Sequence, residues 1–115
     1  MFHEIKIIGN LGKEPELKFT PDGKAVCTFS VAASNKKDET VWYRITTWEK
    51  LAEVCNQYLH KGSKVFVNGA LKADAQGNPR TYERKDGGWS ASFEVVASSV
   101  RFLSGKDEPA DEVPF

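Results

Sequence analysis

The chain has 115 residues, 40% hydrophobic and 28% charged, with a mean hydropathy of −0.46, figures that describe one ordinary globular domain with a core of its own. No apolar run approaches the length of a membrane span, and the isolated Cys27 and Cys55 have no metal-ligand spacing, so they read as buried free thiols in preference to a disulfide. The net charge of zero divides unevenly. Residues 104–115 carry Asp107, Glu108, Asp111 and Glu112 against Lys106, net −3, while residues 1–103 hold 15 basic and 12 acidic side chains, net +3. A mildly basic body with an acidic tail points to a body that meets an anion.

EIKIIGNL, residues 4–11, reads as a strand interrupted by Gly9, with Pro15 breaking the pattern after it. ELKF follows, then the turn TPDGK. AVCTFSVAA alternates Cys27, Phe29 and Val31 against Thr28 and Ser30, as a half-buried strand does. SNKKDE, residues 34–39, reads as a polar loop. In TVWYRITTWEK the even spacing puts Trp42, Arg44, Thr46 and Trp48 on one face of a strand and Val41, Tyr43, Ile45 and Thr47 on the other. The second set is a core face, which leaves two tryptophans and an arginine facing outward.

The period then changes. Leu51, Val54, Cys55, Tyr58 and Leu59 fall on one side of a helix, with Glu49 and Glu53 in its first half, His60 and Lys61 in its last turn and Gly62 as a stop. SKVFVNGAL returns to strand, with a bulge expected at Gly69. ADAQGNPRTYERKDGG is rich in turn residues and charge, a protruding hairpin or long loop. WSASFEVVASSVRFL is a final strand region. SGKDEPADEVPF has neither periodicity nor core and is expected to be a disordered tail. Two units follow: residues 1–103 as the folded domain and 104–115 as the tail. The start of the chain enters a strand pattern directly, without the basic opening of a signal peptide, so the expectation is an intracellular protein. Four or five strands with one helix before the penultimate strand match an all-β, five-stranded Greek-key barrel of the OB type; another small β-barrel fits the pattern as well.

Two blocks, IIGNLGKEPELKFTPDGKAV and VWYRITTWEKLAEVCNQYLHKGSKVFVNGAL, closely resemble the bacterial and phage single-stranded DNA-binding proteins, and the match runs from about residue 4 to residue 103. The resemblance implies an OB barrel, assembled as a homotetramer, that binds single-stranded DNA with little sequence preference in replication, recombination and repair in the cytoplasm. It implies base stacking by Trp42 and Trp48, with Arg44 and Lys50 at basic positions nearby. Counting back from FEVV places Tyr82 at an aromatic hairpin position and Arg80 at a basic one. Lys6, Arg84, Lys85 and Trp89 complete the candidate DNA-binding set, Trp89 being equally readable as a packing residue. A further loop aromatic common in the family has no counterpart in SNKKDE. The ending DEVPF resembles the family's acidic tip, so Asp111, Glu112, Val113, Pro114 and Phe115 are expected to dock partner enzymes of replication and repair. A tail that only aids solubility would explain its acidity but not its phenylalanine.

Stacking suits this task because every base has a π-face, so affinity comes without sequence readout, while Lys and Arg neutralise phosphates. Without the resemblance, tryptophans on a strand are more often core or subunit interface than ligand platforms. Phe19 and Phe29 are assigned to the core or its rim. His3 and His60 are isolated, and the carboxylates are dispersed. GNLGKE and KGSK fail the P-loop pattern, so no catalytic residue, metal or cofactor is expected. Two other classes remain: an OB module for RNA or for a protein partner, and an OB-fold nuclease, which would need clustered carboxylates.

Overall fold

The computed structural model describes residues 1–36 and 38–103. Among these residues, seven strands and one helix follow in the order β1 (Ile5–Leu11), β2 (Glu16–Phe19), β3 (Ala25–Lys36), β4 (Glu39–Trp48), α1 (Glu49–Tyr58), β5 (Lys64–Lys72), β6 (Arg80–Glu83) and β7 (Trp89–Phe102). Five of them close a barrel. β1 pairs with β5, β5 with β7, β7 with β4, β4 with β3, and β3 returns to β1 through Asn10↔Ala32 and Leu11↔Val31. All these pairings are antiparallel except β4–β7, which is parallel. This is the OB-fold topology, with β2 added outside β3 and β6 outside β7.

One rule fills the barrel. Odd-numbered positions point inward on every barrel strand: Ile7 and Leu11 on β1, Cys27, Phe29 and Val31 on β3, Ile45 and Thr47 on β4, Val65 and Val67 on β5, Val95 on β7. Each fully buried Val or Ile contributes about 1.5–3 kcal/mol relative to an exposed one. The phase changes once. Asn68 pairs with Ser99 but Gly69 pairs with Ala97, so Ser98 is an extra residue, and beyond it the even-numbered Val100 points inward and is buried. A bulge at Gly69 was expected, and the extra residue lies on the facing strand. Gly69 is required there, because a Cβ would stand 2.2 Å from the Val96 carbonyl oxygen.

Gly9 does not interrupt β1. The strand passes through it, and the missing side chain lets β1 cross from β5 onto β3: a Cβ would stand 2.1 Å from the Ala32 carbonyl oxygen. Ser34, Asn35, Lys36 and Glu39 are not part of a polar loop either. β3 and β4 run almost to their junction, with Ser34 opposite Thr40, Lys36 opposite Glu39, and Asp38 in the left-handed region at φ 68°. Cross-strand pairing of Lys36 with Glu39 and a hydroxyl contact of 3.0 Å between Ser34 and Thr40 suit a strand as well as a loop.

α1 closes the barrel with Ala52, Cys55 and, at its C-cap, Leu59 buried among the strand residues. It ends sooner than the charge pattern suggests, because the next amides find other acceptors. His60 N donates to Ser63 Oγ at 2.9 Å and Lys61 N donates to Glu14 Oε2 at 2.8 Å. His60 and Lys61 therefore lie past the helix, and no basic residue occupies its last turn. The Lys61 amide, then His60, hold the Glu14 carboxyl below its ordinary range. Phe29 is buried as expected, whereas Phe19, on the outlying β2, is 65% exposed. Cys27 and Cys55 are both free and buried. Lys37 and the tail positions Asp111 to Phe115 lie outside the described residues.

Candidate nucleic-acid interface

Three strands, β4, β7 and β6, build a broad concavity. Register fixes which residues share its face. Arg44 pairs with Glu94 across β4–β7, and Arg80 and Tyr82 pair with Ser92 and Ser90 across β6–β7. The central strand therefore presents short polar side chains, Ser90 and Ser92, followed by Glu94. The flanking strands present long ones: Trp42 and Arg44 from β4, Arg80 and Tyr82 from β6. Small residues between large ones make a trough, about 580 Å³, lined by Trp42, Arg44, Arg80, Tyr82, Ser92 and Glu94 among others. Its walls stand two strand spacings apart, roughly 10 Å.

The trough's aromatic surfaces are partly bare. Trp42 is 53% exposed and Tyr82 is also exposed. Trp42 lies against Gly12, in the loop between β1 and β2, where a Cβ would stand 2.6 Å from two carbons of the indole's six-membered ring. The loop is fixed in turn by the Gly12 amide, which donates to the Ser30 carbonyl at 3.1 Å. Glycine at position 12 thus gives the indole its seat.

On the floor, Glu94 is only 8% exposed. Its Oε2 accepts from Ser92 Oγ at 2.9 Å and lies 3.6 Å from Arg80 Nε. Arg80 is held by one edge while half of its side chain remains exposed. Past Arg44 the same face continues into a second depression, about 250 Å³, lined by Lys13, Glu14, Thr28 and Ser30 together with Arg44. Trp48 lies further along β4, paired with Val26 and 40% exposed, roughly 20 Å from Trp42 at ~3.3 Å per residue. Exposed Lys50 follows it in the first turn of α1.

Not every residue singled out in the sequence comes to this face. Trp89 pairs with Glu83, one position out of phase with Ser90 and Tyr82, so it projects from the opposite side of the hairpin and is 67% exposed there. Arg84 is engaged in the β6–β7 turn: its guanidinium donates to Ser90 Oγ at 2.8 Å, to the Trp89 carbonyl at 3.3 Å and to Asp86 Oδ1 at 3.2 Å. The Gly88 amide and Arg84 hold the Asp86 carboxyl below its ordinary range. Lys85 sits exposed in the same turn. Lys6 lies on β1 at a separate depression with Ile8, Ser34 and Tyr43, bridged to Glu4 at 2.6 Å.

Sequence reasoning passed over Gly12, Lys13, Ser92 and Glu94. The GNLGK word contained the first two. The others become visible only when β7 is placed between β4 and β6. Among the described residues no group of His, Cys, Asp and Glu is arranged to hold a metal ion, and no helix is long and apolar enough to cross a membrane.

Residues 2–103 match the model of the single-strand binding protein family. The chain is 35% identical over 121 residues to a single-stranded DNA-binding protein of Neisseria meningitidis serogroup A, an alignment covering 98% of this chain and 66% of the relative. It is 33% identical to single-stranded DNA-binding protein 1 of Chlorobaculum tepidum, covering 91% and 67%. With a single-stranded DNA-binding protein of Xanthomonas campestris it shares 32%, covering 92% and 63%. The chain thus spans about two thirds of the length of these relatives.

Proposed function

The chain belongs to the single-strand binding protein family, and from that premise we propose that it binds single-stranded DNA along the trough and its continuation over the β3–β4 face. The observation that carries the proposal is the placement of Trp42 and Arg44 on one wall opposite Arg80 and Tyr82 on the other. Bases stack on Trp42, Tyr82 and, further along, Trp48, at ~1–3 kcal/mol per stacked base, a range established for proteins of this kind. Phosphates run past Arg44, Arg80, Lys13 and Lys50, releasing counterions. Lys6, Arg84, Lys85 and Trp89 make at most peripheral contacts in this arrangement. No catalytic step is involved; the protein protects and presents the strand.

The proposal extends to cytoplasmic replication, recombination and repair, where single strands arise. Recruitment of enzymes there falls to Asp111, Glu112, Val113, Pro114 and Phe115, an acidic segment with one aromatic anchor, which suits a basic-rimmed apolar pocket. Assembly as a homotetramer is supported by Ile8, Leu71 and Phe93, large apolar side chains exposed on the barrel. Titration with oligo-dT, followed by tryptophan fluorescence, tests the binding: strong quenching by the single strand and little by duplex is the expected result. Equal affinity for duplex would refute it.

A further inference from the structure

The loop between β1 and β2 has the nucleic-acid face on one side and the exit of α1 on the other. Gly12 seats the Trp42 indole, and Lys13 lines the second depression beside Arg44. Gly12 is fixed by its amide, which donates to the Ser30 carbonyl at 3.1 Å, and β2 begins at Glu16. Between these points Pro15 has no N–H to offer and steers Glu14 away from helical backbone. Among the described residues, the side chain that ties this stretch to the rest of the barrel is that of Glu14. Its Oε2 accepts from the Lys61 amide at 2.8 Å, and its Oε1 lies 3.4 Å from His60 Nδ1.

The turn that receives Glu14 is itself rigid. His60 N donates to Ser63 Oγ and Ser63 N to the His60 carbonyl, both at 2.9 Å. The turn is fastened to β1 by the Gly62 amide, which donates to the Leu11 carbonyl at 2.9 Å, and by Asn10 Nδ2, which donates to the Gly62 carbonyl at 3.1 Å. A carboxylate that faces this turn with both oxygens holds its own loop in place.

We propose that Glu14 is a positioning residue for single-strand binding, which holds Lys13 beside Arg44 and keeps Gly12 against Trp42. The proposal rests on single-stranded DNA binding along this face. Glu14 touches no DNA in this role, and as an anion beside a phosphate path it works against affinity through its charge. Neutralising it removes that repulsion whichever residue takes its place. Only a side chain that still accepts from the Lys61 amide keeps the clasp; glutamine does, and alanine does not. The two variants therefore share the change in charge and differ in the clasp.

The affinity of a labelled dT oligomer, measured for wild type and both variants, tests the proposal. Glu14→Gln is expected to bind at least as tightly as wild type. Glu14→Ala is expected to bind roughly two- to tenfold more weakly than Glu14→Gln, because one hydrogen bond sets the fraction of molecules with the loop in place. Hydrogen exchange separates positioning from stability. The Gly12 and Lys61 amides should exchange faster in Glu14→Ala than in Glu14→Gln, with those of Ile45 and Val67 unchanged. Equal affinities of the two variants, or equal exchange at Lys61, would overturn the proposal. Faster exchange at Ile45 and Val67 in Glu14→Ala would overturn it too, since Glu14 would then hold the barrel and not the loop. Failure of wild type to bind the oligomer would overturn single-strand binding itself, a separate and recognisable outcome.

Discussion

Replacing Gly12 with alanine perturbs the proposed stacking surface without removing any group that touches DNA. The added Cβ would stand 2.6 Å from Cη2 and Cζ3 of Trp42, about 1 Å inside ordinary contact. The obstructing atoms are the far end of a half-exposed side chain, so the indole tips outward and the backbone stays in place. Stability should therefore fall by less than about 1 kcal/mol, within the range of surface substitutions that disturb little. Single-strand affinity should fall several-fold, bounded by the ~1–3 kcal/mol of one stacked base. Gly9→Ala is the control. Its Cβ meets the Ala32 carbonyl oxygen at 2.1 Å and Val31 Cγ1 at 2.8 Å, and relief requires β1 to leave β3, at a loss of about 3 kcal/mol. Urea unfolding and the anisotropy of a labelled dT oligomer read the two effects separately. If Gly12→Ala destabilised as much as Gly9→Ala, or bound like wild type, the seat assigned to Trp42 would be wrong.

Three further outcomes are expected. Arg44→Ala should weaken single-strand binding and reduce the slope of log affinity against log salt by about 0.7, the share of one phosphate contact; an unchanged slope would remove Arg44 from the phosphate path. Glu49 opens α1 with φ 57°, a conformation that costs a residue with a Cβ about 1 kcal/mol, so Glu49→Gly should raise the urea midpoint, and a lowered midpoint would count against that strain. Burial pushes the Cys27 thiol up to about 11 and the Cys55 thiol up to about 12 from an ordinary 9.0. The native state then keeps protons that the unfolded chain releases. The thiols' contribution is full below pH 9 and is lost as pH rises toward 11–12. Stability curves of wild type and Cys55→Ala should converge across that window, and parallel curves would show that the thiol does not titrate as buried.

Alternation made most of the barrel legible in the sequence. Cys27, Phe29 and Val31, and then Tyr43, Ile45 and Thr47, declare their inward face before any strand is paired, and the same count sends Trp42, Arg44 and Trp48 outward. Pairing itself is long-range, and what depends on it was hidden. Trp89 and Tyr82 are both aromatic and seven positions apart, yet they occupy opposite faces because Glu83, not Tyr82, is opposite Trp89. Glu94 looks like an ordinary charge among valines until the parallel β4–β7 register brings it beside Arg44. The polar composition of SNKKDE suggested a loop, but Lys36 and Glu39 answer each other across two strands. The end of α1 departs from its charge pattern for another reason: Ser63 and Glu14, the latter far away in sequence, capture the amides that would have continued the helix.

Photocrosslinking tests most directly whether the trough carries the single strand. A dT oligomer containing 5-bromodeoxyuridine, bound at low salt and irradiated, should attach to peptides containing Trp42, Tyr82 and Trp48 and spare the one containing Trp89. Adducts concentrated on Trp89, on the other side of the hairpin, with Trp42 and Tyr82 unmodified, would contradict the assignment.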